Sequence, residues 1–240
     1  MRRSLLLVFL LFAPSAFAQS LTAFLFPLVP ADKVPGANGS LWTTELVIEN
    51  SSDHAITLSN NGCPICLTPP PPGVPVTVPA HSTVRNPPIV QTVLGAYLFV
   101  FDPADAAALR MQMRVRDMSR EAETFGTEVP VVPVSQFRPT IRLLDVPTDS
   151  RFRVTLRIYS TTYGIVPHVT VLPPNGTTPL RSITVPLDRG AAAALNPVAG
   201  VSEPLVRVVV DSGDPLATLW AFVSVTNNDT QDVTTITESP

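Results

Sequence analysis

The chain has 240 residues, of which 15% are charged, and its formal net charge is −3. So small a charge provides no extended basic surface, which argues against nucleic acid and anionic membranes as partners. The apolar fraction of 45% is typical of a globular protein, so the 27 prolines are expected in connections between folded elements rather than in a disordered chain.

The N-terminal residues have the pattern of an export signal. Arg2 and Arg3 precede an apolar run at residues 5–12, and residues 16–18 form a small-x-small cleavage site. The run is too short to span a bilayer, and no later stretch approaches the roughly 18 apolar residues that a spanning helix needs. We therefore expect a signal peptide at residues 1–18 and an exported mature chain without a membrane span, located outside the cell, in the envelope or in the periplasm.

Short runs of alternating apolar and polar residues, separated by Gly, Pro and Asn, predict β-strands in the first half of the chain. The strand at residues 41–50 is the clearest, because Trp42, Leu46 and Ile48 share one face and polar residues dominate the other. The predicted strands of this half are residues 21–29, 41–50, 55–58, 74–79, 84–90 and 96–101.

One stretch of the first half gives conflicting signals. Residues 104–116 are rich in helix formers, yet the apolar residues from Leu109 to Val115 alternate with polar ones. Because the alternation of apolar and polar residues is uninterrupted, we expect a short helical turn at residues 103–108 followed by a strand at residues 109–115.

The second half repeats the plan of the first. Residues 151–160 are a recognisable copy of residues 41–50, about 110 residues later. Further strands are predicted at residues 140–144, 168–172, 183–186, 205–210 and 219–226.

These strands define the expected fold class. They are short, turns separate them, and no helix is long enough for a parallel crossover, which favours antiparallel sandwiches. A segment punctuated by Pro130 and Pro133 marks the boundary between the halves. We therefore predict an all-β chain of two tandem antiparallel immunoglobulin-like β-sandwiches, at residues 19–133 and 134–240, after the cleaved signal peptide.

Three stretches of the sequence carry a family resemblance. They are Pro-Gly-Ala-Asn-Gly-Ser-Leu-Trp-Thr-Thr-Glu-Leu at residues 35–46, Thr-Phe-Gly-Thr at residues 124–127, and Leu-Trp-Ala-Phe-Val-Ser-Val-Thr-Asn-Asn at residues 219–228. Through them the chain resembles a group of uncharacterised exported β-sandwich proteins of environmental bacteria. The resemblance covers nearly all of the mature chain and implies an exported tandem module, but it implies no activity.

Cys63 and Cys66 are the only cysteines, and they lie in a proline-rich loop at residues 59–73. A disulfide, a redox dithiol and half of a metal site are the alternatives, whereas haem attachment is excluded because Leu67 stands where a His is needed. The surrounding turn and proline residues disfavour the helix that a redox centre needs, and a metal site needs two further ligands. We therefore expect a loop disulfide between Cys63 and Cys66, and we expect no cofactor.

Signals for catalysis are weak. His54, His81 and His168 are scattered over both halves, and the sequence contains no nucleophile elbow, zinc-protease motif or phosphate loop. Asp211 and Asp214 are close in sequence but fall in an apparent turn, where acidic residues are usually solvated caps. A secreted hydrolase is therefore the weakest functional hypothesis, and no catalytic residue is assigned.

Two strips of arginine are candidates for binding an anion or a partner. Arg110, Arg114 and Arg116 share one predicted strand face, and Arg153 and Arg157 form a similar strip in the second half. We expect both strips to be solvated faces that neighbouring glutamates neutralise.

The last long strand and the tip after it complete the set of candidates. Trp220 and Phe222 share one face of this strand, and we expect them to be buried in the core or between domains rather than to form a ligand platform. The tip from Asn227 to Asp232 is rich in oxygen ligands that suit Ca²⁺, although turns use the same residues and the spacing of a calcium loop is absent.

Together, these features favour a non-catalytic binding or structural protein of the cell exterior. Such a protein would act as an adhesion or scaffold module, and its partner would be another protein or a surface polymer. The alternative is an exported redox or metal-handling protein that uses Cys63 and Cys66.

Overall fold

The computed structural model describes residues 22–27, 33–60, 75–87, 97–120, 125–162, 164–187 and 192–238. The expected signal peptide and the loop with Cys63 and Cys66 lie outside the described residues. The described residues form β-strands joined by turns and by four short 3-10 helices. Because every strand pair is antiparallel, the prediction of an all-β antiparallel chain is confirmed.

The first half, residues 22–133, contains ten strands in its described part. They are β1 Thr22–Phe26, β2 Val34–Pro35, β3 Leu41–Asn50, β4 Ile56–Asn60, β5 Val76–Val78, β6 Ser82–Arg85, β7 Tyr97–Phe101, β8 Leu109–Asp117, β9 Thr127–Val129 and β10 Val132–Pro133. One sheet has the order β10-β1-β7-β4-β5, and the other has the order β2-β3-β8-β9, with β6 also paired to β3.

The second half, residues 134–238, contains eight strands in its described part. They are β11 Thr140–Pro147, β12 Phe152–Ser160, β13 His168–Leu172, β14 Arg181–Thr184, β15 Ala192–Leu195, β16 Leu205–Asp211, β17 Leu219–Asn227 and β18 Val233–Thr237. The two sheets have the orders β11-β16-β13-β14 and β15-β12-β17-β18.

The two halves share one strand plan. The strands β1 and β3 to β9 occupy the same positions in their sheets as β11 to β18. The register agrees as well. Trp42 lies opposite Asp117 in the first half, and the residues about 110 positions later, Phe152 and Asn227, lie opposite each other in the second half. Alternation along each strand sends every second side chain to the space between the two sheets, and in the second half this space holds an apolar cluster that includes Leu143, Leu156, Val208 and Val223.

The ambiguous stretch resolves as the alternation predicts. A 3-10 helix at Pro103–Asp105 begins after Asp102, whose carboxylate accepts a hydrogen bond from the Ala104 backbone N–H at 2.9 Å. The strand β8 then starts at Leu109 and pairs along its whole length with β3. Pairing of β8 with β3, together with the uninterrupted apolar face of β8, therefore outweighs the helix propensity of the individual residues.

A buried asparagine holds the turn after β3. Asn50 has no exposed surface, and its side-chain N–H group donates to the carbonyl oxygens of His54, Val78 and Pro79 at 2.7, 3.0 and 3.1 Å. Its side-chain oxygen accepts from the Ser52 backbone N–H at 2.9 Å. The Asn50 side chain therefore provides hydrogen bonds to backbone groups of two chain segments, residues 52–54 and residues 78–79.

The substitution Asn50→Ala is expected to lower the free energy of unfolding by about 2–3 kcal/mol, because it removes the partner of the buried Val78 carbonyl and of three part-buried backbone groups. Urea denaturation measures the change. The matched control is Asn175→Ala, at an exposed turn position, which should change stability by less than about 0.5 kcal/mol. Equal stability of the two variants would contradict the structural role of Asn50.

Candidate functional site

Three aromatic side chains of the second half join it to the first half. Tyr159 of β12 and Trp220 and Phe222 of β17 are 3%, 7% and 1% exposed. They belong to the same apolar cluster as the first-half core residues Leu46 and Met113. The Tyr159 and Phe222 rings are stacked at 6.4 Å between centroids, and those of Trp220 and Phe222 lie 5.2 Å apart. The expectation that Trp220 and Phe222 are buried is confirmed, and their place is between the halves.

These aromatic residues occupy the outer face of their sheet. Alternation along β12 and β17 directs Leu156 and Val223 to the core of the second half, and it directs Tyr159 and Phe222 away from that core. Alternation identifies which residues share a face, but in this protein the first half covers the end of the outer face that carries Tyr159, Trp220 and Phe222, while Arg153 and Thr155 stay half-exposed.

Hydrogen bonds reinforce the seam between the halves. The Tyr159 hydroxyl donates to the Pro27 carbonyl oxygen, and the Thr127 hydroxyl donates to the Val233 carbonyl oxygen. The second of these bonds joins the edge strands β9 and β18. Burial raises the pKa of Tyr159, and the positive charge of Arg157 together with its hydrogen bond to the hydroxyl opposes this shift. Tyr159 is therefore a neutral donor at physiological pH.

The polar tip from Asn227 to Asp232 contributes to the same seam. The Asn227 side-chain oxygen accepts from the backbone N–H groups of Asp229 and Thr230, at 2.8 and 3.2 Å. Arg120 of the first half donates to the carbonyl oxygens of Asp229 and Thr230. Two backbone oxygens of the tip therefore hold Arg120 of the first half.

Beside the aromatic cluster, the two halves enclose a cavity of about 350 Å³, which we call the central cleft. The first half lines it with mainly apolar side chains from β2, β3, β8 and β9: Val34, Trp42, Thr44, Val115 and Val129. The second half lines it with outward-facing residues of β12, β17 and β18, which include Arg153, Thr155, Arg157, Phe222, Ser224 and Thr235. The two walls of the central cleft therefore differ sharply in polarity.

The polar wall has a regular layout that follows from strand register. Thr155 lies opposite Ser224, and Ser224 lies opposite Thr235, so three hydroxyl side chains form a row across three strands. Arg153 and Arg157 are two residues before and two residues after Thr155 on the same face of β12. A row of hydroxyl groups is thus flanked by two positive charges.

The two arginines have no acidic partner within the described ranges. Arg153 donates from Nη2 to the Gln231 side-chain oxygen at 2.7 Å, while its Nη1 is buried and has no hydrogen-bond partner. Arg157 lies against the Tyr159 hydroxyl. The prediction that neighbouring glutamates neutralise this strip is therefore wrong, because Glu45 and its neighbours lie on the far face of the first half.

The equivalent face of the first half does behave as predicted. Arg116 forms an ion pair with Glu45 at 2.8 Å, and the Arg114 guanidinium lies over the ring of Phe125 at 4.1 Å. Arg110 is exposed on the same face, opposite Glu49 in the register. This surface carries charges of both signs, as expected of a solvated face.

A glycine fixes the position of the tryptophan in the cleft. A Cβ atom on Gly36 would lie 2.4 Å from Nε1 of Trp42 and 2.3 Å from the Ser40 hydroxyl oxygen. No side chain fits at this position without moving the indole ring. Gly36 therefore allows the turn before β3 to hold Trp42 against the cleft.

The remaining candidates form ordinary local contacts. His54 pairs with Asp105 and His81 pairs with Asp53, each at 2.9 Å, in exposed loops. Among the described residues, no group of three or more His, Cys, Asp or Glu side chains is placed to hold a metal ion.

The acidic pair predicted to cap a turn does so. Asp211 accepts from the Gly213 backbone N–H at 2.8 Å, and Asp214 accepts from the Leu216 backbone N–H at 2.9 Å. Hydrogen bonds from Gly213 and then from Thr140 hold the pKa of Asp211 below its ordinary value, against the effect of burial. Both carboxylates therefore serve as hydrogen-bond acceptors for the backbone of the local turn.

Comparison of the chain with protein-family models, with curated proteins and with solved structures finds no match. The resemblance to exported β-sandwich proteins stays a prediction, as does the disulfide between Cys63 and Cys66. Within the described ranges, none of the helical segments has the length and apolar character needed to cross a bilayer.

The substitution Phe222→Ala is expected to cost about 3–5 kcal/mol, because it opens a cavity in the seam between the halves. Scanning calorimetry should show one cooperative transition for the unchanged protein and two separated transitions for the variant. Phe125→Ala is the matched control, since Phe125 is 71% exposed, and it should shift the transition only slightly. A single unshifted transition for Phe222→Ala would contradict the role of the aromatic cluster.

Proposed function

We propose that this protein is an exported, non-catalytic binding protein of the cell exterior, and that it binds its partner in the central cleft. The supporting observation is the polar wall, where Arg153 and Arg157 lack an acidic partner among the described residues. Positive groups held in a partly enclosed site are stabilised when a negatively charged ligand joins them. The cavity volume of about 350 Å³ falls within the range of small-ligand pockets.

The partner on this proposal is a surface polymer or a protein that presents a short segment to the cleft. The walls come from both halves, so binding requires the tandem arrangement and not a single half. This requirement gives the duplicated architecture a role in function. The rigid joining of two modules also reduces the ordering cost of binding, because the two walls are already in place.

The finer architecture that we propose is a tandem repeat of two β-sandwiches of immunoglobulin-like size. Support comes from the shared strand order and from one apolar cluster between the two sheets of the second half. The pairs β3–β6 and β4–β7 match the B–E and C–F pairs of immunoglobulin domains. Two strands differ: β1 pairs with β7 where an immunoglobulin domain pairs strand A with strand B, and β8 pairs with β3 where an immunoglobulin domain pairs strand G with strand F.

Export is part of the proposal and depends on the N-terminal sequence. Two arginines, an apolar run and a small-x-small site in this order favour a cleaved signal peptide at residues 1–18. An exported location also suits a disulfide between Cys63 and Cys66. Outside the cell or in the envelope, surface polymers and other exported proteins are the available partners.

The substitution Ser224→Phe tests the proposed function, because it places a ring in the middle of the polar wall and fills the cleft. Purified protein is mixed with cell envelopes from its own source, and the bound fraction is measured by co-sedimentation. We expect saturable binding by the unchanged protein and at least tenfold weaker binding by Ser224→Phe.

The matched control is Ser182→Phe, at an exposed position on β14, which should bind like the unchanged protein. Thermal unfolding of both variants verifies that they are folded. Equal binding by the two variants, or no envelope binding at all, would count against the central cleft as the binding site for an envelope partner.

A further inference from the structure

The buried donor of Arg153 indicates the charge of a ligand that would suit the central cleft. Nη1 of Arg153 is buried without a hydrogen-bond partner, although the side chain lines the central cleft. A buried charged donor without an acceptor costs free energy, and an anionic acceptor offsets that cost best. Gln231 holds the other terminal nitrogen at 2.7 Å, and Gln231 is itself only 3% exposed, so the guanidinium is anchored and not free to turn away.

Arg157 adds a second positive charge on β12, on the opposite side of Thr155 from Arg153. Two guanidinium groups on one strand face, separated by four residues, have backbone positions about 13 Å apart. Their side chains are long enough to reach one acidic group together or two acidic groups separately. The charge arrangement thus fits a ligand that carries at least one carboxylate or sulfate ester.

The hydroxyl row indicates that the ligand is also rich in polar groups. Thr155, Ser224 and Thr235 lie on neighbouring strands, with spacings of about 4.8 Å between strands. Each hydroxyl can both donate and accept, so the row can follow a ligand whose own groups are hydroxyls. A purely apolar ligand would cover these half-buried hydroxyls and offer them no hydrogen bonds beyond the one that Ser224 donates to the Thr155 carbonyl oxygen at 3.4 Å.

The opposite wall supplies the apolar contact. Trp42, held in place by the close approach of Gly36, faces the polar wall together with Val34 and Val115. A sugar ring has hydroxyls on its rim and C–H groups on its faces, so it matches a site with one polar wall and one aromatic and aliphatic wall. A bare inorganic anion would bind the arginines but would make no contact with this apolar wall.

We infer that the central cleft binds an acidic saccharide. Arg153 and Arg157 bind its acidic groups, the hydroxyl row forms hydrogen bonds with its ring hydroxyls, and Trp42 packs against a ring face. This inference rests on the proposed function and specifies its ligand. In an exported protein, a uronate-containing or sulfated surface polymer would supply such a saccharide.

Titration calorimetry with defined oligosaccharides tests the inference. The probes are an oligogalacturonate, a sulfated galactose oligosaccharide, a neutral galactose oligosaccharide of the same length, and inorganic sulfate. We expect at least one acidic oligosaccharide to bind at least tenfold more tightly than the neutral one and than inorganic sulfate. Binding of the neutral probe as tight as that of the acidic probes would overturn the inference, and so would equally tight binding of inorganic sulfate.

Variants then locate the binding. Arg153→Gln and Arg157→Gln should each weaken binding of the acidic oligosaccharide about tenfold or more, while Arg110→Gln on the far face of the first half should leave it unchanged. Arg157→Lys keeps the charge but loses the planar pair of donors, so it should fall between the unchanged protein and Arg157→Gln. Binding that all these variants retain in full would also overturn the inference.

Failure of this inference can be distinguished from failure of the proposed function. If no acidic oligosaccharide binds but Ser224→Phe still abolishes envelope binding, the cleft binds a partner of a different chemical class. If Ser224→Phe has no effect on envelope binding, the proposed function itself is wrong.

Discussion

Burial of Tyr159, Trp220 and Phe222 against the first half is the interaction on which the rest of the structure depends. Each of these side chains removes a large apolar surface from water, and a fully buried aromatic residue contributes about 1.5–3 kcal/mol. Interfaces between domains are usually modest and polar enough to permit relative motion. In this protein the aromatic residues extend the first-half core across the seam, so the two halves have a fixed arrangement and a cleft can form beside the cluster.

The two halves use the same strand plan for different purposes. On the outer face of β3 and β8, Arg116 and Glu45 form a partly buried ion pair in which the two charges neutralise each other. On the corresponding face of β12 and β17, aromatic residues occupy one end and Arg153 with hydroxyl side chains occupies the other. The backbone register is the same, so the difference lies in the side chains alone. The candidate site is therefore found where the two halves differ in side-chain chemistry and not where they agree.

Alternation predicts the long strands well, because a strand with one buried face has a period of two in its apolar residues. It places β12, β13 and β17 within a few residues of their observed bounds. It misses β15, since the alanines of Ala192–Leu195 favour a helix by propensity and become a strand only by pairing with β12. It also misses the central cleft. Periodicity groups Arg153 with Arg157, but the element that covers them comes from a distant part of the chain.

The central claim is that the aromatic seam holds the two halves in one fixed orientation and thereby forms the cleft. Residual dipolar couplings of backbone amides, measured on the whole protein in a weakly aligning medium, test it most directly. Couplings from residues of the first half and of the second half should fit one alignment tensor with the halves placed as in this structure. Two tensors of different magnitude would show independent motion of the halves and would contradict both the fixed seam and the cleft built on it.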